Sequence, residues 1–108
     1  MFVLADLAAS PPTLTLEEPA DCSRFHVRAH GPHEPALLAA ALAQQGTGRM
    51  DGDDAFIAAD AVRMMAKGRV DDEWYADFAG MLEYAGSKGW LDHGGGAIRA
   101  HVEWQSPA

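Results

Sequence analysis

Two segments of this chain, one near its start and one near its end, alternate between apolar and polar residues with the period of a β-strand. Side chains on a strand point to opposite faces in turn, so each segment has one apolar and one polar face. Residues 24–30 place Phe25, Val27 and Ala29 on one face, and residues 97–104 place a second apolar set on one face in the same way. The alternation predicts a sheet with one face buried against other elements and the other face in water.

The polar faces of these two segments carry most of the potential chemistry of the chain. If the two strands are antiparallel neighbours, we expect their polar side chains to form one patch. The arginines of that patch would bind a carboxylate or a phosphate, and a histidine would exchange a proton near neutral pH. The alternative is the solvated face of a one-sided sheet, which is polar without binding anything. The candidate ligand-binding residues are His26, Arg28, Arg99, His101 and Glu103.

A metal site is not predicted from the histidines near the first strand. On a strand, His26 and His30 lie roughly 13 Å apart, whereas zinc needs both nitrogens at about 2 Å. A site that joins His30 or His33 to His101 stays open as an alternative. The acidic loop at residues 51–54 lacks the glycine and the glutamate that a calcium-binding EF-hand loop requires further on. We therefore predict neither a metal nor a cofactor.

Capping and turn residues predict where the helices begin and end. Pro35 suits the first turn of a helix, and Gly46 suits the position just after its last turn. Asp60 is expected to cap the second helix, and Gly68 to follow its end. Asp71 or Asp72 caps the last helix, and Gly89 follows its end. The predicted strands are 2–7, 13–17, 24–30, 55–58 and 97–104, with residues 90–91 pairing with the last strand as a hairpin. The predicted helices are 36–45, 61–67 and 71–88, and residues 47–54 are expected to form a loop.

These segments predict one α+β domain over residues 1–108, with a small, mainly antiparallel sheet packed on one face by two or three helices. The chain is too short for a second core. The predicted core residues are Phe25, Val27, Leu37, Leu38, Leu42, Phe56, Ile57, Val62, Met65, Trp74, Phe78, Met81, Leu82, Trp90, Ile98, Val102 and Trp104.

The order of segments from the first helix onward is helix, strand, helix, helix, hairpin. This order is similar to that of winged-helix domains, in which the third helix enters the DNA groove and the hairpin is the wing. The resemblance covers residues 36–104 and implies a transcriptional regulator. Charge opposes that function, because the third helix begins with Asp71, Asp72 and Glu73 and carries a single lysine, Lys88. Phosphate contacts supply most of the affinity of proteins for DNA, so nucleic acid is not an expected partner.

The third helix has a second side that is rich in small residues. At 100° per residue, this side lies opposite the apolar stripe that contains Trp74. A glycine inside a helix costs roughly 1 kcal/mol relative to alanine, and small residues let another backbone approach closely. We therefore predict an oligomer interface there, with a tolerated surface glycine as the alternative. The candidate interface residues are Ala76, Gly80, Glu83 and Ser87.

Charge and cysteine content narrow the function classes. The formal net charge is −8, from sixteen acidic and eight basic side chains. The electric field of this negative charge repels nucleic acids and anionic membranes. A single cysteine, Cys22, and the lack of a long apolar segment favour the cytoplasm. We expect a small non-enzymatic interaction module, either a homodimer or a binder of a partner protein. The alternatives are a ligand-binding protein or minor acid–base enzyme, and a winged-helix regulator.

Overall fold

A computed structural model describes residues 1–105 and arranges them as six strands and three helices. The predicted helices are present within about two residues of their expected bounds, and so are the five predicted strands. The elements in chain order are β1 (Phe2–Asp6), β2 (Thr13–Glu17), β3 (His26–His30), α1 (Pro35–Gln44), β4 (Gly48–Asp51), β5 (Asp54–Ala58), α2 (Ala59–Ala66), α3 (Asp72–Ser87) and β6 (Ala97–Gln105).

All six strands belong to one sheet, in the order β2-β1-β3-β6-β5-β4. The pairs β1–β2, β5–β6 and β4–β5 are antiparallel, whereas β3 runs parallel to both of its neighbours, β1 and β6. The sheet is therefore mixed. The first and last long strands are neighbours as expected, but they pair in parallel, with His26 opposite His101 and Arg28 opposite Glu103. The three helices lie between β3 and β6 in the chain, which gives a connection long enough for a parallel crossover.

One face of the sheet packs against the helices and forms the core. Alternate residues of the two central strands, among them Val27, Ala29 and Val102, point to this side and are buried. They belong to one apolar cluster with Leu38 of α1 and Phe78 of α3. The alternating patterns therefore assign these buried residues to the correct face.

The ends of the helices follow the predicted signals, with one exception. The carboxylate of Asp71 accepts a hydrogen bond from the backbone N–H of Trp74 at 3.2 Å and so caps α3. Gly89 has a φ of 75°, which lets the chain fold back after α3. The exception is α2, which begins at Ala59, so that Asp60 lies inside its first turn and forms an ion pair with Arg63 at 2.8 Å.

One local prediction was wrong. The segment expected to be a loop contains β4, which forms a hairpin with β5 around Gly52 at a φ of 62°. The expected hairpin between residues 90–91 and β6 is present but short, with an antiparallel bridge from Leu91 to Ile98. The backbone N–H of Arg99 donates to the carbonyl of Trp90 at 2.6 Å, and that of Asp92 donates to the carbonyl of Ala97 at 2.9 Å.

The predicted core needs two corrections. Trp90 is 44% exposed and lies outside the core, next to Tyr84. Phe56 is only 8% exposed but points to the face of the sheet away from the helices, because its neighbour Ile57 takes the inner face. The remaining predicted residues are buried, or pack half-buried at the margin of the core, as Phe25, Leu37, Met65, Met81, Leu82 and Trp104 do.

Candidate functional site

The face of the sheet away from the helices is uncovered in the described part of the chain, and we call it the open face. All six strands contribute residues to it. Its side chains include charged groups, histidines and two phenylalanines. All five predicted ligand-binding residues lie on it. The strand residues of the open face are Phe2, Leu4, Asp6, Thr13, Thr15, Glu17, His26, Arg28, His30, Arg49, Asp51, Asp54, Phe56, Ala58, Ala97, Arg99, His101, Glu103 and Gln105.

Three of the predicted residues form one group, the Glu103 cluster, which consists of His26, Arg28 and Glu103. The parallel register places Arg28 directly opposite Glu103 on the neighbouring strand. Oε2 of Glu103 lies 3.3 Å from Nε2 of His26 and 3.5 Å from Nε of Arg28. Neither nitrogen has a well-aligned hydrogen bond within residues 1–105, although both atoms are buried. Charge attraction therefore joins Arg28 to Glu103, and His26 lies beside the carboxylate without a directed hydrogen bond to it.

The other two predicted residues belong to a second group, the Arg99 cluster, which consists of Arg99, His101, Asp51 and Asp54. One terminal nitrogen of Arg99 donates to Asp54 at 3.1 Å, and the other donates to Asp51 at 3.0 Å. Nδ1 of His101 lies 3.9 Å from Asp54. The two aspartates come from β4 and β5, which sequence reasoning did not assign to this face. Alternation along β5, with Asp54 and Phe56 opposite Ala55 and Ile57, is the signal that would have found Asp54.

The phenylalanines of the open face are kept from water by arginines. The guanidinium carbon of Arg28 lies 4.3 Å from the centre of the Phe2 ring, on which His26 also stacks. The guanidinium carbons of Arg49 and Arg99 lie 4.7 and 4.9 Å from the Phe56 ring. A guanidinium over an aromatic face is attracted to the ring while its nitrogens remain in water. This arrangement explains how two large apolar side chains are buried on a polar face.

Partial burial lowers the pKa of His26, because an imidazolium loses hydration there. The carboxylate of Glu103 raises the pKa of His26, whereas the positive charge of Arg28 lowers it further. Burial prevails, so His26 is neutral at pH 7. A neutral imidazole accepts one hydrogen bond and donates another, which suits binding of a polar ligand.

The other candidate metal-binding histidines are separate from one another. The His33 ring stacks on Trp104 with ring centres 4.2 Å apart, which accounts for it as a packing residue. Within residues 1–105, no group of three or more His, Cys, Asp or Glu side chains converges on a point where a metal ion would sit. Burial raises the pKa of the Cys22 thiol, and Asp77 adds to this effect. A raised pKa lowers the thiolate fraction, so Cys22 is a poor nucleophile.

The predicted oligomer-interface residues lie together on the outer side of α3. Ala76, Gly80, Glu83 and Ser87 are all exposed. A side chain built at Gly80 would meet no atom within 4 Å, so nothing in this chain explains the glycine. Two further features were missed from the sequence, which assigned Trp90 to the core and gave Tyr84 no role. They are the exposure of Tyr84 and its edge-on contact with Trp90, whose ring centres are 5.9 Å apart.

Comparison with family models, with curated proteins and with solved structures found no match for this chain. Among the helices of residues 1–105, none combines the length and the apolarity needed to cross a bilayer. The function is therefore inferred from the geometry of the open face and of α3.

Proposed function

We propose that this chain is a small non-enzymatic interaction module that self-associates through the outer side of α3. The observation that carries the proposal is the poor burial of this helix within one copy. Of its sixteen residues, only Trp74, Phe78 and Ala85 are buried. Soluble monomers keep contiguous apolar surface small, and larger patches mark interaction sites. A second copy would cover the part of α3 that the rest of the chain leaves in water.

Two exposed aromatic residues support the same surface. Tyr84 is 56% exposed and lies about 40° around the helix from Gly80, and Trp90 contacts the Tyr84 ring. Tyrosine and tryptophan are the residue types that contribute most to binding at interfaces. The other two exposed large hydrophobic side chains within residues 1–105 lie elsewhere, because Tyr75 is about 140° around the helix from Gly80 and Met64 belongs to α2.

Charge at the two ends of α3 favours an antiparallel pair of helices. The first turn is acidic, with Asp72 and Glu73, and Lys88 lies at the other end, with its Nζ 5.5 Å from the centre of the Tyr84 ring. Gly80 is eight residues from both Asp72 and Lys88, or about 12 Å along the axis in each direction. An antiparallel crossing at Gly80 brings each Lys88 near the acidic turn of the other copy. The same crossing places Ala76 across from Tyr84, and it sets Glu83 of each copy across from Asp77 of the other, which offsets part of the attraction at the ends.

The experiment measures the mass of the protein in solution by light scattering after size exclusion. We expect the unsubstituted chain to have twice the monomer mass, and Gly80→Leu to have the monomer mass, because leucine blocks close approach of the helices. Gly80→Leu also removes a helix glycine, which stabilises α3 by roughly 0.5–1 kcal/mol, so the variant stays folded. Ala40→Leu adds the same side chain to an exposed position of α1 and serves as the matched control.

Three results would overturn self-association at this surface. One is a monomeric unsubstituted chain at about 100 µM, in the range of weak dimers. Another is a dimer that persists in Gly80→Leu. The third is an equal loss of the dimer in Ala40→Leu, which would assign the effect to added apolar surface in general. A monomeric chain leaves the outer side of α3 as a proposed surface for a different protein.

A ligand-binding protein is the second candidate function. The observation that favours it is that His26, Arg28, Arg99, His101 and Glu103 share one uncovered face, in two groups that each combine positive and negative charge. A polar ligand would exchange hydrogen bonds with either group, and a minor acid–base activity of a histidine is part of this candidate.

A winged-helix regulator is the weakest candidate. The acidic first turn of α3 offers phosphates no favourable contact, and the hairpin that would be the wing is a single bridge. A cytoplasmic location belongs to the proposal as well. It is supported by the acidic net charge and by Cys22, which is the single cysteine of the chain.

A further inference from the structure

A cleft of about 470 Å³ lies on the open face, above β1, β2 and β3. Its walls differ in charge. Arg28 and His30 come from β3, whereas Asp6, Glu17 and Glu18 come from β1 and from the end of β2. Leu4 lies between the two walls. The volume is in the range of small-molecule sites, and the lining combines an apolar centre with a few charged groups, as such sites do.

The three arginines of the open face differ in whether their terminal nitrogens donate hydrogen bonds to other side chains. Arg99 donates to Asp54 from one terminal nitrogen and to Asp51 from the other. Both terminal nitrogens of Arg49 donate to Asp92 at 3.4 Å. The ion pair of Arg28 with Glu103 is recorded through Nε, and no hydrogen bond within residues 1–105 uses its terminal nitrogens.

Arg28 is nevertheless held in place. Its guanidinium carbon stacks on the Phe2 ring at 4.3 Å, and Glu103 attracts its Nε from the neighbouring strand. An arginine fixed in this way presents two parallel N–H groups with little loss of conformational freedom when a ligand binds. That geometry matches the two oxygens of a carboxylate.

The negative charge of the opposite wall indicates which second charged group the ligand has. Asp6 is opposite His30 at one end of β1, whereas Glu17 of β2 is opposite Phe2 at the other end. Glu17 lies two strands from β3, or about 10 Å. Glu17 is 4.0 Å from the nearest nitrogen of Arg69, and no ion pair within residues 1–105 involves Glu18. A plain anion bound at Arg28 would be repelled by these carboxylates, whereas an ammonium group at this end would be attracted by them.

The geometry points to a small zwitterion as the ligand of this cleft. Its carboxylate binds the terminal nitrogens of Arg28, its ammonium lies toward Glu17 and Glu18, and a short methylene chain crosses β1 over Phe2 and beside Leu4. Free basic amino acids and ω-amino carboxylates have this separation of charges. This inference rests on the second candidate function, ligand binding at the open face, and is independent of self-association through α3.

Isothermal titration calorimetry with three compounds tests the inference. The probes are 6-aminohexanoate, hexanoate and hexylamine, which present both charges, the carboxylate alone and the amine alone on chains of similar length. We expect 6-aminohexanoate to bind about tenfold or more tightly than either other compound, because a charge-assisted hydrogen bond at each end adds to its affinity.

Two arginine variants locate the site. Arg28→Gln is expected to weaken binding of 6-aminohexanoate about tenfold or more, because it removes the bidentate donor. Arg49→Gln is the matched control, since both terminal nitrogens of Arg49 already donate to Asp92, and is expected to change the affinity less than twofold. A thermal melt accompanies each variant. If Arg28→Gln does not fold, the double variant Glu17→Gln and Glu18→Gln tests the other wall and is expected to reduce the affinity for 6-aminohexanoate to that for hexanoate.

The outcomes separate this inference from the broader ligand-binding candidate. Equal binding of hexanoate and 6-aminohexanoate would overturn the zwitterion and leave an anion site on the open face. Equal losses in the two arginine variants would overturn the location in this cleft. If none of the three compounds binds at 10 mM, beyond the range of weak ligands, the inference falls and the ligand-binding candidate is confined to the Arg99 cluster.

Discussion

The two faces of the sheet bury apolar side chains by different means. On the inner face, Val27, Ile57 and Val102 pack against helix residues in a continuous apolar core. On the open face, Phe2 and Phe56 lie beneath guanidinium groups that are held by carboxylates, and His26 also stacks on Phe2. The comparison teaches that low exposure has two origins in this chain. Only the inner face contributes close packing, and the open face keeps its charged groups in contact with water.

The sharpest test of this comparison uses two neighbours in β5 that point to opposite faces. Ile57 is fully buried among apolar groups, so Ile57→Ala leaves a cavity that the core fills only in part. We expect the free energy of unfolding to fall by about 2–5 kcal/mol, measured by urea denaturation. An effect below about 1 kcal/mol would show that the inner face is not closely packed.

Phe56→Ala is expected to cost less, although the side chain removed is larger. The flexible stems of Arg49 and Arg99 close over the gap and water enters, so no rigid cavity remains. Two exposed contacts between a cation and a ring, with some apolar area, amount to about 1–2 kcal/mol. If Phe56→Ala proves more destabilising than Ile57→Ala in the same urea experiment, the distinction between the two faces is wrong.

A smaller effect is expected from acid, through His26 on the open face. Burial lowers the pKa of His26 in the folded chain, so the unfolded chain binds a proton at higher pH than the folded chain does. Stability that is present above the unfolded value of about 6.5 is therefore lost as the pH falls through the lower folded value.

The check compares melting temperatures of the unsubstituted chain and His26→Gln at pH 7.5 and pH 5. The difference between the two proteins should shift by a few degrees in favour of His26→Gln at pH 5. His30→Gln is a control on the same strand. A shift of opposite sign would mean that attraction to Glu103 outweighs burial.

Alternation and capping residues were sufficient to predict most elements and the face that each strand residue occupies. Alternation alone assigns the face of each candidate ligand-binding residue, because side chains on a strand repeat with a period of two. These residues are His26, Arg28, Arg99, His101 and Glu103. The strand β4 was not predicted, because its four residues, one of them Gly48, are too few to show a clear alternation of apolar and polar side chains.

The pairing partners of the strands and the direction of pairing could not be predicted from the sequence, for a different reason. Alternation assigns faces but not neighbours, so it did not distinguish parallel from antiparallel pairing of β3 and β6. The grouping of Arg99 with Asp51 and Asp54 depends on that pairing and on β4. The exposure of Trp90 depends on how the chain leaves α3, which Gly89 permits but does not direct.

A dilution series of amide spectra tests the proposed role of α3 most directly. Assigned ¹H–¹⁵N resonances are followed as the protein is diluted from millimolar to low micromolar concentration. The account predicts concentration-dependent shifts along the outer side of α3, at Ala76, Gly80, Tyr84 and Ser87, and at Trp90, with the open face unchanged. Shifts confined to the open face, at Arg28 or His101, would contradict it.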